Sequence, residues 1–137
     1  MEDLFKKFQE EVHELLGEME DLLFKLEKKP GKLETINTIF RVMHTLKGTC
    51  NMFGYVRMGE LTHFLETLYD FFRSGQAVIT RECFNCSFNT IDVLKNLMVN
   101  QDKFPDLKNE NEYNNLITII QKLTENLTST ASSVVQP

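Results

Sequence analysis

Apolar residues recur every three or four positions through almost all of this 137-residue chain, and nowhere do they alternate strictly over the length of a strand. A chain written at that period buries its apolar surface by packing helix on helix. Breakers divide the pattern into five stretches. The first is expected from about Glu2 to Lys28, with Leu4, Phe8, Val12, Leu16, Met19 and Leu23 on its inner side, and ends where Lys28-Lys29 meets Pro30-Gly31. A second spans roughly Leu33 to Phe53 and stops at Gly54, and a third runs from about Met58 to Arg73 before Ser74-Gly75. Thr80 is placed to cap a fourth, about Arg81 to Asn100. After the break Lys103-Phe104-Pro105-Asp106 comes a fifth, about Glu110 to Leu127. Thr128 to Pro137 is rich in Ser and Thr without a period and is expected to be a flexible linker or tail. The expected fold is therefore all-α: an up-down four-helix bundle with an additional C-terminal helix over residues 1–127, followed by a tail over 128–137.

Charge and composition narrow the function. A net charge of −5 lacks the basic excess of a nucleic-acid binder. No run approaches the ~18 apolar residues of a membrane span. The acidic start Met1-Glu2-Asp3 leads straight into an amphipathic helix rather than a secretory signal, so a cytoplasmic setting is expected. Three cysteines, Cys50, Cys83 and Cys86, cannot all pair, which fits reduced thiols. Cys83 and Cys86 sit three apart on one expected helix, but one pair without a second pair or a nearby histidine does not make a zinc site, and the two read as inert thiols.

The second helix carries the residue of most interest. On a wheel of about 100° per residue, Ile36, Ile39, Met43, Leu46, Cys50 and Phe53 fall on one apolar arc, whereas His44 lies with Asn37, Arg41, Gly48 and Asn51 on the polar face. His44 lies ten residues before Gly54 and Glu66 twelve after it. Allowing about two residues for the loop, both stand roughly 15 Å from the turn, at one height on antiparallel neighbours. Glu66 is expected on a polar face with Thr62, His63 and Asp70, where it meets His44 across the seam. A carboxylate accepting the Nδ1 proton leaves the Nε2 lone pair outward as a nucleophile. Lys47, three residues on, would offset the charge of a phosphoryl group on Nε2, at most about 3 kcal/mol at ~6 Å and an effective dielectric near 20. Gly48 is costly in a helix, about 1 kcal/mol relative to alanine, and its lack of a side chain opens the imidazole to another protein.

Arg41-Val42-Met43-His44-Thr45-Leu46-Lys47-Gly48, then Met52-Phe53-Gly54-Tyr55, then Glu60-Leu61-Thr62-His63-Phe64-Leu65-Glu66 together resemble the histidine phosphotransfer (HPt) domain family, with the closer likeness to the N-terminal phosphotransfer domains of the chemotaxis histidine kinase CheA family. The resemblance implies that His44 accepts a phosphoryl group from the ATP-binding domain of a histidine kinase and passes it to an aspartate on the receiver domain of a response regulator. It also implies that Glu66 orients the imidazole, that Lys47 and His63 tune reactivity and docking, and that Gly48 gives access. ATP and Mg²⁺ would then be bound by the partner domains, with no cofactor, nucleic acid or membrane insertion in this one. The chain departs from the family's small residues after Lys-Gly at Thr49-Cys50-Asn51, and Asn51, one turn past Gly48, bears on partner choice. On this reading the domain is a phosphoryl carrier without its own nucleotide site, either the first domain of a histidine protein kinase or a free-standing relay protein. Two other functions compete: a helical interaction or dimerisation module, in which His44→Gln changes nothing, and a hydrolase using His44 and Glu66, for which no adjacent nucleophile is found.

Overall fold

The computed structural model describes the backbone of residues 2–135 and side chains through residue 129. It contains five helices: α1 (Glu2–Lys28), α2 (Leu33–Met52), α3 (Val56–Arg73), α4 (Arg81–Val99) and α5 (Leu107–Val135). Neighbouring pairs α1/α2, α2/α3, α3/α4 and α4/α1 close a four-helix bundle, and α5 lies outside it against α3 and α4. The all-α bundle with one added helix is thus the architecture observed. α3 and α4 each touch three other helices, so each is covered on three sides.

The helix boundaries follow local chemistry. Thr80, with extended backbone, accepts a hydrogen bond from Cys83 N through its hydroxyl and starts α4, a cap worth about 1 kcal/mol. α2 ends at Met52, one residue earlier than expected, and α3 starts two residues earlier, at Val56. Between them Gly54 adopts φ +78°, which glycine reaches without a Cβ penalty. Phe8 of α1 stacks on Phe53 at 4.3 Å and meets Tyr55 edge-on at 4.8 Å, pinning that turn against α1. The register of α2 against α3 is set there.

α5 departs most from expectation. It begins at Leu107 and continues to Val135, so most of the stretch expected as an aperiodic tail is helical; residues 136–137 lie outside the described residues. Some expected inner positions also differ. Leu4 is 58% exposed, beside Met52 and Phe53 in an open hollow between the start of α1 and the end of α2. Of the phenylalanines on α3 and α4, Phe72 and Phe84 are buried, while Phe64, Phe71 and Phe88 are half-buried. Cys50, Cys83 and Cys86 are buried free thiols. Burial pushes Cys86 up to about 12, with the neighbouring Cys83 adding to the rise, so it holds its proton and is a poor nucleophile. Among the described residues no three His, Cys, Asp or Glu side chains gather as a metal site, and no helix is long and apolar enough to cross a membrane.

Candidate functional site

His44 occupies the outer face of α2 because the apolar arc of that helix faces inward: Ile36, Ile39, Met43, Leu46 and Cys50 are all buried. Its side chain is 69% exposed, while Glu66, facing it from α3, retains only 9%. His44 Nδ1 lies 2.9 Å from Glu66 Oε2, and Lys47 Nζ donates to Glu66 Oε1 at 2.6 Å. One carboxylate therefore bridges two residues of α2. His63 Nδ1 stands 3.8 Å from Glu66 Oε1, near enough for electrostatic interaction but outside hydrogen-bond reach. Gly48 is exposed, and a methyl group built on it would meet nothing within 4 Å.

These contacts form a ladder. His44 and Glu66, Lys47 and His63, and Asn51 and Gly59 are pairs that flank Tyr55 at equal distances along the chain. Residues three and four apart share a helix face, so the two members of each pair stand at one height on the antiparallel seam, although the Lys47 and His63 side chains both turn to Glu66. The height match expected from counting residues about the turn is what the structure shows.

Electrostatics assign the proton. Burial of Glu66 works to raise its pKa, but the hydrogen bonds and charges of Lys47 and His44 outweigh burial and hold the carboxyl below its usual range. An ionised carboxylate only accepts, so the shared proton belongs to His44 Nδ1. In the neutral ring, Nε2 then carries the lone pair, and it has no hydrogen-bond partner among the described residues. The arrangement presents an oriented nitrogen nucleophile on a largely exposed side chain.

One expectation changes here, and two other residues gain contacts that counting along the chain does not give. Thr62, expected beside Glu66 on a polar face, is completely buried, its hydroxyl donating to Met58 O at 2.7 Å, because α3 is covered on three sides. Lys47, expected beside His44 as a charge that would offset a phosphoryl group, also engages Glu66 and is 22% exposed. Asn51 is exposed as expected, yet its carboxamide lies against Gly59: a Cβ built on Gly59 would fall 2.0 Å from Asn51 Oδ1.

One supporting group escaped the sequence reading. Asp102, in the α4–α5 connection, is buried and accepts from Arg57 N at 3.0 Å and Met58 N at 2.9 Å, capping the helix that carries Glu66. Gln101 and Asp102 both adopt positive φ, 54° and 65°, to deliver that carboxylate. Tyr113 of α5 adds to the clamp, its hydroxyl 3.0 Å from Arg57 O and 2.9 Å from Glu60 Oε2. The only hint in the sequence was a short polar residue among Asn100-Gln101-Asp102, of a type that tolerates the left-handed region.

Comparison with known proteins gives concordant results. A family model described as Hpt domain matches residues 3–109. The chemotaxis protein CheA of Salmonella typhimurium is 33% identical over 93 residues, covering 68% of this chain and 14% of that protein. The sensor histidine kinase CheAY of Helicobacter pylori is 31% identical over 133 residues, covering 94% of this chain and 17% of that protein. This chain therefore spans less than a fifth of the length of these curated relatives. Among solved structures, the CheA phosphotransferase domain from Thermotoga maritima matches with a TM-score of 0.69 at 32% identity, over 74% of this chain and 96% of that one. The solution structure of a histidine phosphotransfer domain of CheA matches with a TM-score of 0.73 at 28% identity, over 95% and 92%.

Proposed function

This chain belongs to the Hpt domain family, as a phosphotransfer module of the CheA chemotaxis type, and from that premise we propose that His44 is its phosphorylation site. The observation that carries the reading is the exposed imidazole held through Nδ1 at 2.9 Å by a buried, ionised Glu66. Nε2 attacks the γ-phosphorus of an ATP molecule bound by a kinase catalytic domain. An N–P bond forms, the bond from the γ-phosphorus to the bridging oxygen breaks, and ADP leaves. With a proton on Nδ1 and phosphorus on Nε2 the ring becomes cationic, and Glu66 stabilises that charge through the hydrogen bond it already makes. The same charge makes the imidazole a good leaving group when the carboxylate of a receiver-domain aspartate attacks phosphorus. The phosphoryl group departs, and His44 returns to its neutral form.

The domain thus contributes position and exposure, while its partners contribute the rest of the machinery. Glu66, anchored by Lys47 as well as His44, keeps the ring in one tautomer and one orientation on two rigid helices. Gly48 leaves the approach to Nε2 open. The test is incubation with ATP and a histidine kinase catalytic domain of the chemotaxis class. Acid-labile, alkali-stable phosphate on His44 is expected. Label that persists in His44→Gln would overturn the assignment.

A further inference from the structure

Gly59 is buried in the first turn of α3, as its fourth residue, where the backbone is helical and no turn requires glycine. Its φ is not positive, so backbone conformation does not explain it. Space does. The three atoms nearest a Cβ built at Gly59 all belong to the Asn51 carboxamide, at 2.0, 2.8 and 3.2 Å. The Asn51 side chain therefore rests in the place where a side chain at 59 would sit.

The alternative resting place of Asn51 is what gives this contact a consequence. Helical side chains lean toward the N-terminus, over the residues three and four positions earlier, which for Asn51 are Gly48 and Lys47. The space above Gly48 is open. A carboxamide displaced from Gly59 would lie over Gly48, one turn from His44 on the face a partner must approach, or reach toward Lys47, the residue that anchors Glu66.

We propose that Gly59 is a positioning residue for phosphotransfer: by accommodating the Asn51 carboxamide on α3 it keeps the approach across Gly48 to His44 clear. The inference rests on the assignment of His44 as the phosphorylation site. It makes Asn51 and Gly59 a matched pair, in which a larger residue at 51 is compatible with docking because 59 has no side chain.

The test uses the whole chain with a histidine kinase catalytic domain of the chemotaxis class and ATP, comparing wild type, Gly59→Ala, Asn51→Ala and the double variant. Gly59→Ala should fold, since alanine favours the helix and the clashing group is the end of an exposed side chain. It should raise KM for the domain about fivefold, with a smaller change in kcat. Asn51→Ala should not show the rise in KM that Gly59→Ala shows, and the double variant should match Asn51→Ala rather than Gly59→Ala because the displaced group is gone. In wild type, NMR should show the Asn51 side-chain amide close to the Gly59 α-protons, and Gly59→Ala should move that contact to Gly48. An unchanged KM in Gly59→Ala, a double variant that stays as impaired as Gly59→Ala, an Asn51→Ala as poor as Gly59→Ala, or a Gly59→Ala that melts far below wild type would each overturn the proposal. Failure of the underlying assignment reads differently, as phosphate retained by His44→Gln whatever the change at Gly59.

Discussion

Two buried carboxylates on this molecule do opposite things. Glu66 and Asp102 are almost equally covered, and each accepts two hydrogen bonds across a gap between elements. The donors differ. Asp102 holds two backbone N–H groups at the start of α3, whose positions are fixed by the helix, so its effect is confined to stability. Glu66 holds two side chains, one of them a largely exposed imidazole whose other nitrogen is uncommitted. Its hydrogen bond can strengthen as the ring gains charge, so under the proposed function it contributes to chemistry. Burial alone does not distinguish the two; the identity and freedom of the donors does.

That contrast is open to direct attack. The largest effect is expected for His44→Gln, which should abolish phosphate incorporation while leaving thermal unfolding close to wild type, because the ring is exposed; the pair of measurements is radiolabel transfer and a melting curve. Glu66→Gln should slow transfer by roughly tenfold to a hundredfold, the scale of one charge-assisted hydrogen bond to a charge that develops in the reaction. Single-turnover kinetics would show it, and a rate equal to wild type would reduce Glu66 to the same structural role as Asp102. Asp102→Ala should do the reverse: a loss of about 2 kcal/mol in denaturant unfolding, with transfer by the folded fraction retained. Tyr113→Phe removes a hydroxyl that burial and Glu60 keep protonated and should cost about 1 kcal/mol without changing transfer, as read from a Tm lowered by roughly 4 °C.

The smallest expected effect concerns acid. Glu66 has a lowered pKa in the folded protein, so its contribution to stability is complete above the unfolded value of about 4.3 and is lost as pH falls through the folded one. Denaturant unfolding of wild type and Glu66→Gln between neutral pH and about pH 3 should converge at the acid end. A difference that grows toward low pH would contradict the lowered pKa.

Much of the site was legible because its information is local. The period of three to four places His44 off the apolar arc of α2, and counting from Gly54 matches its height to Glu66; both inferences need only helix geometry and a short turn. The fate of Thr62 shows where that reasoning stops. A wheel ranks positions within one helix, but how many neighbours cover the helix is a property of the assembly, and α3 is covered on three sides. Lys47 was placed at its site, but its contact with Glu66 was not read from the sequence, since which acid a flexible side chain meets is decided by what the fold brings within reach.

The amino-acid order by itself determined that the chain makes helices, where four of the five start and stop to within two residues, and that one imidazole faces outward opposite a glutamate. Those outcomes follow from contacts between residues three and four apart and from breakers that act where they stand. Only the tertiary structure decided that Asp102 caps α3 from a distant loop, that α5 runs on beside α3 and clamps it through Tyr113, and that Asn51 lies on Gly59 instead of over Gly48. The physical reason is separation: each of these joins side chains or backbone groups brought together by the packing of whole helices, and no periodicity along the chain encodes which distant group will arrive.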